Sequence, residues 1–206
     1  MSVLSKKLRA RGQTGFTLIE ALIAFVILSV GLLGIVSLQA LSKQSTHQAV
    51  QRARAINMAD SIIERIRINP AGLPTYDIGL TAPKGVTPNS APSPDCRSAA
   101  CTPTQLADYD LWEWEQAMVG AMVTVGTTNN TSGLIDPRGC IVFTAASGRT
   151  NTGLVNVMIQ WRGLNESTDA VQGLPGEVAC GGAAAGGDKY RRQVSVNTFV
   201  IDEQEL

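Results

Sequence analysis

The sequence predicts an α+β fold in which one long N-terminal helix packs on a four-stranded antiparallel β-sheet. Two observations predict this class. Residues 16–69 contain no proline and are first apolar and then amphipathic, and four later segments carry the alternating or β-branched patterns of strands. A chain of 206 residues with 44% hydrophobic and 5% aromatic side chains suits one modest domain and leaves little room for a second.

The first element is a run of 22 uncharged residues from Ala21 to Ser42. As a helix it would be about 33 Å long, enough to cross a hydrocarbon core of about 30 Å. It exceeds the apolar core of a cleavable secretory signal, which has about 7–15 residues, so a retained anchor is favoured. Cationic flanks stay in the cytoplasm, which places the C-terminal bulk on the outer side. The basic residues before the run are Lys6, Lys7, Arg9 and Arg11.

Glu20 stands at the start of this apolar run. A carboxylate in the apolar zone of a bilayer costs up to about 2.5–3.5 kcal/mol, so an ionisable residue there suggests a specific partner. Alternatively, Glu20 lies shallow enough to stay hydrated and favours the N-terminus of the helix. Position alone leaves both interpretations open.

The segment GFTLIE at positions 15–20, with a basic leader before it, resembles the prepilin signature of type IV pilins and type II secretion pseudopilins. The resemblance implies that a prepilin peptidase and N-methyltransferase cuts between Gly15 and Phe16 and methylates the new Phe16 amine. It also implies that Glu20 meets the amine of a neighbouring subunit and sets the axial register in the filament. Such a paired charge is tolerable in an apolar medium, where an unpaired one is costly.

Under this resemblance the chain divides into a cleaved leader over 1–15, a transmembrane half-helix over 16–42 and a periplasmic head over 43–206. The protein would sit in the inner membrane as a single-pass protein and then enter the type IV pilus at the cell surface. Major pilins often carry a helix-breaking proline in the long helix, whereas this chain has none there. Whether the helix kinks in a filament, with Gly31 and Gly34 as the weak points, is left open.

The same helix is expected to continue through residues 43–68, where no proline or glycine occurs. Asn69-Pro70 ends it, because the residue before proline avoids the α region. Polar side chains, Gln51 among them, are assigned to the remaining faces. The predicted buried stripe consists of Ala49, Ala53, Ile56, Ile63 and Ile66.

Residues 70–103 hold seven of the nine prolines and are expected to form a long loop. Thr102 as N-cap, Pro103 at the first position and Gln105 as the capping-box partner predict a second helix to about Val119. This helix is expected to bury one of its two tryptophans in the core.

Four segments are expected to be the strands of the sheet, namely 119–127, 139–146, 153–162 and 191–201. The glycine-rich residues 163–187 would form an excursion between the last two. The alternation indicates that one face packs on the stripe of the long helix. In the third strand that face carries Val155, Val157, Ile159 and Trp161.

Four cysteines without a C-x-x-C pair fit structural disulfides better than redox or zinc chemistry, although they allow three pairings. We favour Cys96–Cys101, which closes a small loop before the second helix, and Cys140–Cys180, which ties a strand to the glycine-rich excursion. An oxidising periplasm would preserve both bonds.

The sequence offers no catalytic constellation, and no enzyme activity or cofactor is expected. His47 is the one histidine, and no nucleophile or phosphate-binding motif occurs. The 17 basic and 17 acidic residues balance, which disfavours nucleic acid as a partner. The acidic residues of the second helix are interpreted as a solvated face rather than a metal site: Asp108, Asp110, Glu113 and Glu115.

Within the family, residues 23–28, 59–70 and the 96–114 segment with Cys96-x4-Cys101-Thr102-Pro103 resemble PilV-type minor pilins. That resemblance implies a low-abundance subunit that helps to start pilus assembly together with other minor and major pilins, and in some lineages with a tip adhesin. It would thereby support adhesion and twitching motility. A minor pseudopilin of type II secretion is the alternative, and genomic neighbours would separate the two. A membrane-anchored periplasmic enzyme or receptor is a third interpretation, which would leave the leader unexplained.

Overall fold

The computed structural model describes residues 15–85, 90–121, 123–125, 129–130, 133–166, 180–181 and 189–206. The chain forms two compact units, Met1–Ser45 and Thr46–Leu206. The predicted leader charges Lys6, Lys7, Arg9 and Arg11 lie outside the described residues.

The helices begin and end close to the predicted positions. Helix α1 spans Leu18–Ile68, and the Asn69-Pro70 stop is confirmed. A short 3-10 turn, Pro70–Gly72, leads into the four-residue helix α2, Leu73–Tyr76. Helix α3 spans Pro103–Val119.

The predicted capping box at the start of α3 is confirmed. The Gln105 backbone N–H donates to Thr102 Oγ1 at 3.3 Å, and the Thr102 backbone N–H donates to Gln105 Oε1 at 3.0 Å. At the other end Gly120 adopts a left-handed conformation with φ of 75°, which glycine reaches without a Cβ penalty. Both ends of α3 are therefore set by local sequence.

The predicted four-stranded antiparallel sheet is confirmed, but one of its strands is not the predicted one. Strands β1 (Gly79–Lys84), β4 (Arg138–Ala145), β5 (Gly153–Arg162) and β6 (Arg191–Val200) lie in the order β1-β4-β5-β6. Each neighbouring pair is antiparallel. Strands β2 (Thr124–Val125) and β3 (Asn129–Asn130) form a separate two-stranded ladder.

The prediction that 119–127 is a strand of this sheet is wrong. Val119 ends α3, and among the described residues of this segment only those of β2 pair, and they pair with β3 rather than with the four-stranded sheet. The fourth strand of the sheet is β1, which lies in the segment predicted as loop. β1 contains Pro83 and a positive-φ Gly79, and its register with β4 shifts. Proline is tolerated at a sheet edge. β1 therefore forms because it pairs with β4, although its own residues have a low strand propensity.

The buried row of α1 also differs from the predicted stripe. Ile63 and Ile66 are buried as expected, but Ala49, Ala53 and Ile56 are exposed. Ala53 and Ala55 are only two positions apart, so the sequence allows either of two rows of side chains to face the core. The packing of the sheet and α3 decides that the row with Ala55 is buried. The row that is buried consists of Gln51, Ala55, Ala59, Ile62, Ile63 and Ile66.

The core lies between α1, α3 and one face of the sheet. The predicted inward face of β5 is confirmed, with Val155, Val157 and Ile159 fully buried and Trp161 at 4% exposure. A Cβ added at Gly139 of β4 would lie 2.4 Å from Cη2 of Trp114, so a side chain at that position would displace α3 from the sheet. The other residues of this cluster include Leu73, Tyr76, Leu111, Met118 and Ile141.

Both predicted disulfides are present. Cys96 is bonded to Cys101 before α3, and Cys140 of β4 is bonded to Cys180. The second bond lies on the outer face of the sheet in a small buried cluster with Met158. Beside it the Gly181 N–H donates to the Leu80 carbonyl at 2.7 Å. The disulfide and this hydrogen bond together hold Cys180 and Gly181 against β4 and β1.

The prediction that the acidic residues of α3 form a solvated face is wrong for two of the four. Asp108 is exposed, but Asp110 and Glu115 are 5% and 2% exposed. Glu115 Oε1 accepts a hydrogen bond from the Gly85 N–H at 2.8 Å. Helical spacing predicts where the carboxylates lie around α3. It does not predict which hydrogen-bond donors from distant parts of the chain will contact them and allow their burial.

Asp110 is the centre of an ion-pair network that joins three helices. Arg65 Nη1 of α1 lies 2.6 Å from Asp110 Oδ1 and 2.7 Å from Glu113 Oε2. The Tyr76 hydroxyl of α2 donates to Asp110 Oδ2. Burial and this hydrogen bond raise the pKa of Tyr76 far above its ordinary range, so the phenol stays protonated and keeps donating.

Replacing Asp110 should therefore destabilise the second unit. In Asp110→Asn, Arg65 loses its closest counter-charge, and we expect the free energy of unfolding to fall by about 2–4 kcal/mol. Glu64→Gln removes an exposed ion pair with Arg67 and should cost less than about 0.5 kcal/mol. Urea unfolding of the full chain in detergent, followed by tryptophan fluorescence, measures both, and equal losses would contradict the buried role of Asp110.

Candidate functional site: the N-terminal segment of the long helix

The predicted cleavage position lies in non-helical backbone. Gly15, Phe16 and Thr17 precede the first helical residue, Leu18, and all three are exposed. A Cβ built on Gly15 meets no atom within 4 Å. Nothing in the described part of this chain therefore requires glycine at position 15, and the bond after it is free of helical hydrogen bonding.

The apolar side chains that follow are exposed around the whole circumference of the helix. Large hydrophobic residues from Leu18 to Leu41 have exposed fractions between 53% and 82%. An 18-residue window of α1 has a mean hydropathy of 2.7 with none of it buried, so length and composition allow the helix to cross a membrane. A soluble protein rarely exposes so large an apolar surface without something to cover it.

Two hydroxyl groups within this apolar run are satisfied inside the helix. Ser29 Oγ donates to the Val26 carbonyl at 2.9 Å, and Ser37 Oγ donates to the Leu33 carbonyl at 3.0 Å. Back-bonding of this kind removes the need for water. The serines are thus compatible with an apolar environment, which the composition of the run alone does not establish.

Glu20 lies in the first turn of α1, where an acidic side chain favours the positive end of the helix dipole. Its backbone N–H donates to the Thr17 carbonyl at 3.1 Å. The side chain is exposed, and among the described residues no cation lies within ion-pair distance of it. The carboxylate is available to a partner from outside this segment.

The predicted site residues fall into two groups. Gly15, Phe16 and Glu20 lie together at the start of α1, and the four cysteines form the two disulfides of the second unit. Among the residues that the structure describes, no three His, Cys, Asp or Glu side chains are grouped so that they could hold a metal ion. The chemistry that can be located is therefore that of the N-terminal segment.

Comparisons with known proteins also point to the N-terminal segment that contains Gly15, Phe16 and Glu20. A family profile described as "Type IV pilin Tt1218" matches residues 37–112, and one described as "Prokaryotic N-terminal methylation motif" matches residues 10–36. No curated protein and no solved structure gives a significant match. The two profiles adjoin, and the first-turn carboxylate and the exposed apolar helix lie within their span. Together the two matches support a type IV pilin-like protein.

Proposed function

We propose that this chain is a minor pilin of the PilV type, which helps to initiate type IV pilus assembly and is incorporated in or at the tip of the filament. The observation that carries the proposal is the exposed apolar half of α1 with one carboxylate, Glu20, in its first turn. Such a surface fits first a bilayer and then a bundle of like helices. The methylation motif over residues 10–36 supports the same sequence of events.

In this proposal the first 15 residues are a leader removed on the cytoplasmic side. The exposed, non-helical backbone at Gly15 and Phe16 can extend along a peptidase active site without unwinding a helix. Cleavage creates a cationic amine at Phe16, which the same enzyme methylates. Residues 16–42 then anchor the subunit in the inner membrane, with 43–206 as the periplasmic head.

The new amine and Glu20 are complementary charges on different subunits. An ionised carboxylate is costly in an apolar bundle, and a cation from a neighbouring subunit offsets that cost only when the two groups meet. The pairing therefore favours one axial register between adjacent helices. A subunit that lacks the carboxylate would insert into the membrane but would lose this selection of register.

The segment that resembles PilV-type pilins is also the segment that holds the head to α1. Cys101 of the Cys96–Cys101 loop precedes the Thr102 cap, and α3 follows with Asp110 and Trp114. Asp110 binds Arg65, and Trp114 Nε1 donates to the Met58 carbonyl of α1 at 3.1 Å. The resemblance of this segment to PilV-type pilins supports placement among the minor pilins, and the polar loops of the head are the candidates for partner choice.

Deletion of the chain tests the proposed role in initiation. We expect fewer surface pili and reduced adhesion and twitching, with the major pilin still present in the membrane. Pili should partly return when retraction is also disabled, because a priming defect slows initiation without preventing extension. Electron microscopy and a motility assay measure both effects. Normal pili together with a defect in protein export would instead indicate a type II secretion pseudopilin.

Processing is tested by Gly15→Val. A Cβ at position 15 meets no atom of the described residues within 4 Å, so the variant should fold and insert normally. Intact mass spectrometry should show a 191-residue, N-methylated chain for the wild type and an uncut 206-residue chain for the variant. A wild-type N-terminus at Met1, or beyond Ser37, would contradict the proposed cleavage.

The role of Glu20 is tested by Glu20→Gln and Glu20→Val. Both variants leave the apolar run intact, so cleavage and membrane insertion should be close to wild type. Co-purification with other pilins should fall several-fold, because the amine of the neighbour loses its counter-charge. Glu64→Gln is the matched control, since Glu64 lies on the same helix outside the apolar run. Wild-type piliation and wild-type co-purification of the Glu20 variants would refute the pairing.

A further inference from the structure

The two edges of the four-stranded sheet are protected to different degrees. Strand β1 contains Pro83 and a positive-φ Gly79, and its register with β4 shifts. The Gly181 N–H also donates to the Leu80 carbonyl of β1. Proline, an irregular register and a covering segment are means by which proteins prevent further pairing at the edge of a sheet. The β1 edge is therefore closed to another strand.

The opposite edge, β6, lacks these protections. All ten of its residues pair with β5 in an unbroken register, and it contains neither proline nor glycine. No charged side chain occurs from Gln193 to Val200. Within the part of the chain that the structure describes, no strand pairs with the other side of β6. A long, regular and uncharged edge strand is a template for pairing with another chain.

Apolar side chains are exposed at the C-terminal end of this edge. Phe199 of β6 is directly opposite Leu154 of β5, and the two residues are 55% and 48% exposed. Ile201, which follows the strand, is 50% exposed. Side chains directly opposite each other in an antiparallel pair lie close together. An apolar patch therefore borders the free edge, and a strand that paired with β6 would cover part of it.

The topology of the sheet determines how a neighbouring head would pair with β6. Each step from β1 through β4 and β5 to β6 is antiparallel, so β1 and β6 run in opposite directions. A second head of the same fold, placed beside this one in the same orientation, would present its own first strand to β6. The two strands would then be antiparallel, and the two sheets would become continuous.

A second copy of this chain is a poor neighbour for this edge. In the same orientation it would present its own β1 edge, which Pro83 and Gly181 close. A copy that presented β6 in an antiparallel pair would be related by a two-fold axis perpendicular to the sheet. The parts of α1 that pack on the two sheets would then run in opposite directions, which does not fit the parallel helices of the proposed pilus. A different pilin with an open edge strand fits both conditions.

Exposed charges lie just beyond each end of β6. Lys189 precedes the strand and Glu203 follows it, and both are exposed. Lys189 Nζ is 4.0 Å from Glu166 Oε2, but both side chains are solvated, so this pair is weak. An antiparallel partner strand begins near Glu203 and ends near Lys189. A basic residue at its start and an acidic residue at its end would complement β6, because opposite charges across a strand pair are stabilising.

We propose that β6 is a docking edge for an extended strand of a sibling pilin head, which pairs antiparallel with β6 and extends the sheet. The partner strand carries an apolar residue beside Phe199, a basic residue at its start and an acidic residue at its end. Because the β1 edge is closed, this head accepts a strand on one side only, which suits a subunit at the end of a filament. The inference rests on the proposed function, since it takes the partner to be a pilin.

A synthetic strand tests the edge directly. The probe is a fluorescent ten-residue peptide, equal in length to β6, of alternating Thr and Val with Lys first and Glu last. Fluorescence anisotropy measures its binding to the full chain in non-ionic detergent. A peptide of the same composition with Glu first and Lys last should bind about threefold more weakly, because both end pairs become repulsive.

Hydrogen exchange then locates the bound probe. The peptide should slow amide exchange within Arg191–Val200, because outward N–H groups of β6 gain acceptors, and should leave Gly79–Lys84 unchanged. Slower exchange within Gly79–Lys84 instead would place docking at the other edge. Unchanged exchange in both strands at saturating peptide would refute pairing at the sheet.

Two substitutions separate edge pairing from docking on the outer face of the sheet. Phe199→Lys places a charge on the edge strand, and Leu154→Lys makes the same kind of change at its neighbour on the interior strand β5. Strands lie about 4.8 Å apart, so a docked strand is next to Phe199 but about 10 Å from Leu154. Phe199→Lys should weaken peptide binding and co-purification of co-expressed sibling pilins at least about fivefold, and Leu154→Lys less than about twofold. Both side chains are half exposed, so thermal unfolding of the two variants should stay close to that of the wild type.

Each other outcome overturns the proposal in a distinct way. Equal losses for the two variants would indicate docking on the face, and unchanged binding of Phe199→Lys would refute docking at the edge. Self-association of the full chain that Phe199→Lys abolishes would make a second copy the partner. A chain that is not cleaved after Gly15 and co-purifies with no pilin removes the proposed function together with this inference. A chain that is cleaved, and that co-purifies with pilins equally well as Phe199→Lys, removes this inference alone.

Discussion

The structure depends on one helix that must satisfy two different surroundings. Up to Leu41 the large side chains of α1 are apolar and exposed on all sides, and from Gln51 onward only one row is buried. A helix that is apolar all round needs lipid or other helices, whereas a one-sided row needs a folded domain to cover it. The N-terminal part therefore suits a bilayer or a bundle of like helices, as the proposed function requires, and the C-terminal part supports the head.

The head is held to α1 by a small number of polar contacts around a large apolar core. Arg65, Asp110 and Tyr76 join α1, α3 and α2, while Asn69 Nδ2 donates to the Pro103 carbonyl at 2.7 Å. These groups are partly or fully buried, so the loss of one member leaves the others without compensation. The contacts thereby fix where the chain turns after α1 and where α3 begins.

Assembly and partner choice are thus separated along the chain. In the proposed function, the motif at Gly15, Phe16 and Glu20 acts through exposed backbone and one carboxylate, and a local motif of this kind does not require any particular head. The head adds what is specific to this subunit, including its two disulfides and the unprotected edge of β6. The N-terminal motif therefore indicates the family, while the role of this particular subunit depends on the head.

Local patterns by themselves determined the long helix and its stop at Asn69-Pro70, the Thr102 capping box, three of the four sheet strands and the candidate cleavage site. These features depend on neighbouring residues, and short-range chemistry is present in the sequence. Tertiary structure alone decided that Gly79–Lys84 joins the sheet edge, that Gln51 is buried while Ala53 is exposed, and that Asp110 is an ion-pair centre. Each of these depends on partners distant in sequence: strand pairing recruits a weak strand, and packing selects one of two alanine rows. A buried carboxylate is stable only where the fold supplies its donors.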